Sequence, residues 1–153
     1  QVQVVGRVLR CAPHPPQLQA LCALRYLMLS ITSEDKENQL KSYCQHWLSL
    51  LATNQFEDAE KLIDINNNYG VVWAESELKD AVHDYFGSDA PVSFQNENIA
   101  NCYPEFLETD SGSLIFGFYL PANGEITDLT VEFEFVPIGN NNYAATINDV
   151  HVL

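Results

Sequence analysis

The chain of 153 residues holds 21 acidic residues against seven Lys and Arg residues, which gives a formal net charge of −14 at pH 7. Its length favours one domain, and its 46% content of hydrophobic residues argues against a chain that is disordered throughout. The charge argues against nucleic acids and anionic membranes as partners because their phosphates would be repelled, and no run of about 18 apolar residues predicts a transmembrane helix.

The first 27 residues differ from the remainder in charge. They contain Arg7, Arg10 and Arg25 and no Asp or Glu, whereas residues 28–153 hold all 21 acidic residues with four lysines and so carry a net charge of −17. Three interpretations are open for this segment: an ordered extension, a targeting peptide, or translated upstream sequence. The last is favoured because the only methionine follows the segment and the charge changes there. We expect an atypical basic segment over residues 1–27 and a single α+β domain over residues 28–153.

The cysteines stand at positions 11, 22, 44 and 102, with neither a C-x-x-C pair nor a zinc-finger spacing. Without a recognisable secretory signal, they are interpreted as reduced thiols. We therefore expect a cytoplasmic protein.

Three helices are predicted in the first half of the domain. Apolar residues at helical spacing predict the first over residues 33–53, and Thr32 with Asp35 has the spacing of a capping box. The apolar face of this helix comprises Leu40, Cys44, Trp47, Leu48 and Leu51. A second, short helix is predicted over residues 55–63. A third, over residues 76–86, is expected to end at the glycine that follows it.

The second half predicts an antiparallel sheet of about four strands, with a further short edge strand over residues 92–94. The main strands are predicted over residues 103–108, 113–120, 129–135 and 143–153. In the third of these, apolar and polar residues alternate strictly, which is typical of a half-buried strand. A turn is expected over residues 137–142. The apolar phase of the last strand breaks, and a bulge near Asn148 and Asp149 would restore a single buried face.

This order of elements predicts an α+β fold in which about three helices pack on a curved antiparallel sheet of about four strands. The cone-like arrangement is similar to that of the nuclear-transport-factor-2-like and cystatin-like groups. Residues 120–135, L-P-A-N-G-E-I-T-D-L-T-V-E-F-E-F, and the ending N-D-V-H-V-L resemble an uncharacterised family of small bacterial domains. The resemblance covers about residues 30–153. It implies a bacterial origin and no transferable activity or catalytic residue.

Candidate site residues lie on one face of the third predicted strand. Asp128, Glu132 and Glu134 share this face with Thr130, and alternate residues of a strand are about 7 Å apart. Two carboxylates could therefore flank a bound group or a divalent cation. The favoured interpretation is a solvated outer face, which also discourages edge-to-edge aggregation.

A second candidate is the pair of Asp149 and His151, two residues apart on the last strand. The Asp could orient the His as a general base, although a surface pair or a C-terminal latch is favoured. No Ser or Cys can be assigned as a nucleophile, and no metal-binding or nucleotide-binding motif is present. We therefore expect no catalytic residue, no metal and no cofactor.

Three functions follow as hypotheses. The first is a non-catalytic, acidic binding protein of bacterial origin, of the immunity type that neutralises a basic toxin partner, because the charge favours fast encounter with a basic protein. Solubility alone also explains such a charge. The alternative is a cone-fold small-molecule binder or enzyme with a pocket near Asp149 and His151. The third is a structural or oligomeric module, and a monomer or a homodimer is expected. The alternative fails if the interior is filled by Trp47, Phe116, Phe118 and Phe133.

Overall fold

The computed structural model describes residues 29–153, so the interpretations of residues 1–27 lie outside the described residues. In chain order the elements are β1 (Leu29–Ser30), α1 (Lys36–Ala52), α2 (Phe56–Glu60), α3 (Glu75–Phe86), β2 (Glu105–Glu108), β3 (Leu114–Ala122), β4 (Glu125–Gly139) and β5 (Asn142–Val152). A turn of 3-10 helix, Ile99–Asn101, precedes β2. In place of the edge strand expected over residues 92–94, a single bridge joins Phe94 to Ala122.

The strands form one antiparallel sheet in the order β1-β5-β4-β3-β2, which curls around the helices. The predicted α+β architecture, with three helices and an antiparallel sheet, is confirmed for the described residues. The sheet has five strands instead of about four. The additional strand, β1, pairs Leu29 and Ser30 with Tyr143 and Asn142. Two residues are too few to show an alternating pattern, which is why periodicity did not predict this strand.

The alternation in β4 divides the sheet into an inner face, which packs on the helices, and an outer face. Leu129, Val131, Phe133 and Phe135 are buried on the inner face, while Glu132 and Glu134 lie on the outer face. The strand continues through Pro137 to Gly139, so the turn expected over residues 137–142 is shorter than predicted. Asn140 and Asn141 form it with φ angles of 53° and 59°. Two consecutive left-handed residues match the twist of a hairpin, and Asn tolerates this conformation.

Aromatic side chains fill the interior between α1 and the inner face. The Trp47 ring meets Phe133 edge-on at 5.2 Å between centroids and Phe118 at 6.3 Å. Phe118 in turn stacks on Phe133 and contacts Phe116. All four side chains are at most 1% exposed. The space between the helices and the curled sheet is therefore occupied by the core itself.

The helix boundaries differ from the predicted ones by up to three residues. Helix α1 begins at Lys36, and its N-cap Asp35 has a φ of 59° and makes no side-chain capping bond, so the predicted capping box is wrong. Instead the Thr32 N–H donates to Gln39 Oε1 at 3.2 Å. Helix α2 spans five residues and is shorter than the predicted 55–63. The end of α3 at Gly87, with a φ of 62°, is confirmed.

A loop after α2 covers the edge of β5 that β1 leaves open. The Asp64 N–H donates to the Ala145 carbonyl at 2.7 Å, and the Ala145 N–H donates to Asp64 Oδ2 at 2.9 Å. The Asn67 side-chain amide donates to the carbonyls of Ile147 and Asn148, each at 3.2 Å. Two side chains thus satisfy backbone groups that another strand would otherwise satisfy.

Candidate functional site

The outer face of the sheet brings three carboxylates into one row. The strand registers place Glu105 opposite Gly117, Gly117 opposite Glu132, and Glu132 opposite Asp149. Neighbouring strands are about 4.8 Å apart, so Glu132 and Asp149 stand side by side. Like charges that face each other across a strand pair are destabilising. A bound cationic group would relieve this repulsion.

Exposed apolar groups lie beside this row. Tyr103 is 69% exposed, and its ring packs against that of Tyr119 at 5.3 Å between centroids. Leu107 is 60% exposed and lies in the next row, opposite Ile115, which in turn pairs with Glu134. We name as the outer patch the residues Tyr103, Glu105, Leu107, Tyr119, Glu132, Glu134 and Asp149.

The predicted bulge in β5 is confirmed. Glu132 pairs with Asp149 while the next residue, Phe133, pairs with Ile147, so Asn148 is the inserted residue. The insertion returns Val150 to the buried inner face and leaves Asp149 on the outer face. The Asn148 side-chain amide donates to Glu132 Oε1 at 3.2 Å, which fixes one carboxylate of the row.

Of the five candidate site residues, Glu132, Glu134 and Asp149 fall within the outer patch. His151 lies next to it, opposite Thr130. Asp128 does not join them, because it lies beyond the last pair of β4 and β5, and its N–H donates to the Tyr85 hydroxyl at 3.2 Å. Sequence reasoning missed Tyr103, Glu105 and Leu107. The exposure of residues on a short edge strand depends on which elements pack beside it. An alternating pattern of apolar and polar residues does not indicate this exposure.

The Asp149–His151 pair forms on the outer face of the sheet. His151 Nδ1 lies 3.3 Å from Asp149 Oδ2, and Asp149 Oδ1 accepts the Val150 N–H at 2.9 Å. The nearest hydroxyl by register belongs to Thr130, and this hydroxyl makes no hydrogen bond. His151 Nδ1 itself makes no hydrogen bond, and no hydroxyl of residues 29–153 is hydrogen-bonded to the imidazole.

The cysteines of the described residues offer no nucleophile either. Cys44 and Cys102 are free thiols and both are buried. Burial raises the pKa of Cys44 well above its ordinary value and that of Cys102 to about 11, the latter helped by the charge of Glu97. A thiol that stays protonated at neutral pH is a poor nucleophile.

The charged residues of the sheet region are almost all acidic. Residues 92–153 contain nine Asp and Glu residues and no Lys or Arg. The four lysines of the described residues all lie on helices or directly after one, and three of them are engaged in ion pairs: Lys36 with Glu108, Lys61 with Asp58 and Lys79 with Glu75. No basic side chain other than His151 accompanies the carboxylates of the outer face of this sheet within residues 29–153.

Within residues 29–153, no group of three or more His, Cys, Asp and Glu side chains is arranged to hold a metal ion. No helix of the same range combines the length and the apolar character needed to cross a bilayer.

Comparison of the chain with protein-family models, with curated proteins and with solved structures gives no match. The resemblance of residues 120–135 to a bacterial domain family therefore stays a prediction. The outer patch is the candidate site.

Proposed function

We propose that the protein is a non-catalytic, acidic binding protein whose outer patch docks a basic protein partner and thereby neutralises it, as an immunity-type protein does with a toxin. The observation that supports this most is the composition of the outer patch. Carboxylates of Glu105, Glu132, Glu134 and Asp149 lie beside exposed apolar groups, with no Lys or Arg between residues 92 and 153.

This arrangement has the character of a protein interface. Aromatic side chains dominate the centres of such interfaces, and charged groups at the rim accelerate association and select partners by sign. Tyr103 and Leu107 are the exposed apolar groups of the outer patch; they lie at or next to its edge strand, β2, and the carboxylates extend from them towards β5. A basic partner would gain both the burial of the two side chains and the relief of the repulsion between Glu132 and Asp149.

The second candidate, a small-molecule binder or enzyme near Asp149 and His151, has one observation in its favour, the 3.3 Å contact between the two side chains. The filled interior argues against it, because Trp47 and Phe133 occupy the space that a cone-shaped pocket would need. The pair stands on the outer face of the sheet, outside that interior.

The proposal is tested by partner capture. The full chain is immobilised and exposed to an extract of the source cells at low salt, and retained proteins are eluted with a salt gradient. A basic protein is expected, and its association rate should fall steeply as ionic strength rises. Recovery of no basic protein at low salt contradicts the proposal.

Variants then locate the interface on the purified pair. The triple variant Glu132→Gln, Glu134→Gln, Asp149→Asn should weaken binding roughly tenfold, since three exposed ion pairs are lost. Tyr103→Ala should weaken it by about as much or more, as an aromatic anchor would. The matched control is Glu37→Gln, Glu57→Gln, Asp110→Asn, which removes the same charge from exposed positions elsewhere. Equal weakening by the triple variant and the control would show attraction by net charge without a docking surface.

A further inference from the structure

A groove separates helix α3 from the ends of β4 and β5, on the side of the sheet opposite the outer patch. Its volume is about 500 Å³. Leu129 and Val150 form an apolar floor and are almost fully buried. Val152 also lines the groove and is 54% exposed, at its solvent-facing edge. The Tyr85 hydroxyl accepts the Asp128 N–H at 3.2 Å and so holds α3 against the start of β4. The groove thus lies between two elements that this hydrogen bond joins.

The helical wall of this groove is acidic. Glu77, Asp80 and Asp84 line it, at positions that share one face of α3. Glu77 Oε2 accepts bonds from the Ala74 N–H and the Ser76 hydroxyl, so this carboxylate is engaged. Asp80 and Asp84 make neither a hydrogen bond nor an ion pair with any described residue. Like charges four residues apart on a helix repel each other.

The lysine on the same helix does not neutralise the groove. Lys79 Nζ lies 3.3 Å from Glu75 and 4.8 Å from the centroid of the Phe56 ring, on a different side of α3. The groove therefore combines an apolar floor with two unpaired carboxylates. A lysine or arginine side chain matches both features, because its aliphatic stem can cover apolar surface while its charged end reaches polar groups.

We propose that this groove accepts a lysine or arginine side chain of a protein partner, with the stem on Leu129 and Val150 and the cation between Asp80 and Asp84. The inference rests on the proposed function, since it assumes a basic protein partner. The groove is exposed to solvent at Val152. This favours a side chain of a protein over a free small ligand as the occupant, because small ligands are usually buried over most of their surface. The partner would then contact both faces of the sheet, close to the start of β4 and the end of β5.

The test uses the full chain, labelled with ¹⁵N, and three short probes followed by NMR. The probes are the capped tripeptides acetyl-Ala-Lys-Ala-amide and acetyl-Ala-Arg-Ala-amide, with acetyl-Ala-Gln-Ala-amide as the neutral one. Saturable shift changes are expected at the amides of Leu129, Val150 and Val152 with the cationic probes alone. The double variant Asp80→Asn, Asp84→Asn should weaken this binding roughly tenfold. It should fold well, because it removes a repulsive pair from α3.

Controls separate the groove from general attraction. Asp110→Asn with Glu125→Gln removes two exposed charges elsewhere and should change the dissociation constant less than about twofold. Equal weakening by both double variants overturns the proposal, as does the lack of saturable shifts at the groove. Shifts confined to Glu132 and Asp149 overturn the groove site while leaving the proposed function intact. Binding that appears only after Arg7, Arg10 and Arg25 are changed to Gln would identify this chain's own segment as the occupant and overturn the partner assignment.

Discussion

Asp64 makes the stability of the fold depend on pH in a way that one substitution can reveal. Its side chain is 6% exposed where it binds the edge of β5, and burial raises the pKa of this carboxyl from 3.8 to about 7, although the Ala145 hydrogen bond partly opposes the rise. The direction in which stability changes with pH follows from the difference in bound protons between the folded and the unfolded chain. Below about pH 4 the carboxyl is protonated in both the folded and the unfolded chain, so it has no effect on the pH dependence. As the pH rises towards 7, the unfolded chain releases the proton first, and the free energy of unfolding falls.

The substitution Asp64→Asn removes this titration and keeps an oxygen that can accept the Ala145 N–H. Each pKa unit corresponds to about 1.4 kcal/mol, and the shift spans about three units. Between pH 5 and pH 8, which lies above the sequence pI of about 4.3, the stability of the variant relative to the wild type should therefore rise by roughly 2–3 kcal/mol.

The assay is urea unfolding followed by Trp fluorescence at several pH values in this window. The exposed substitution Asp110→Asn is the control, and its difference from the wild type should stay below about 0.5 kcal/mol throughout. A difference between Asp64→Asn and the wild type that is constant with pH would refute the argument, because it would show that Asp64 does not change its protonation between pH 5 and pH 8.

Three further predictions follow from the core, one helix end and the thiols. Trp47→Ala should lower the free energy of unfolding by about 3–5 kcal/mol, since it leaves a cavity against Phe133; a loss under about 1 kcal/mol in urea unfolding would contradict this packing. Gly87→Ala should cost about 1 kcal/mol in the same assay because Gly87 has a φ of 62°, and an unchanged midpoint would argue against that conformation. In a chain whose other two cysteines are replaced by Ser, Cys44 and Cys102 should react with Ellman's reagent only in denaturant, and fast reaction in native buffer would argue against their burial.

The features that the sequence predicted correctly are local and periodic. The alternation of residues 129–135 divides β4 into two faces because successive side chains of a strand point in opposite directions. In β5 the apolar phase breaks, and this break predicted the bulge near Asn148 and Asp149, since an inserted residue returns Val150 to the core. Gly87 marked the end of α3 because a residue without Cβ adopts the left-handed backbone at little cost.

The features that it missed depend on distant parts of the chain. Asp35 has the spacing of a cap, but its carboxylate accepts from the Asn38 side chain at 2.6 Å, and its left-handed backbone makes no capping bond. The binding of Asp64 to Ala145 joins residues 81 positions apart, and no local pattern encodes it. Glu132 and Glu134 were correctly predicted on one face of their strand. The row that joins Glu132 with Glu105 and Asp149 was not predicted, because it requires the register of three strand pairs.

The position of β5 in the sheet has a consequence for biosynthesis. It lies between β1 and β4, so it separates a strand made near the beginning of the domain from one made near its end. Until residues 142–152 have left the ribosome, β1 has no neighbour in the sheet and β4 is paired on one side only. The loop of Asp64 and Asn67 also has nothing to bind before that point. Nascent chains arrested before residue 142 should therefore expose apolar surface to chaperones, whereas chains released beyond residue 152 should fold in a single late step.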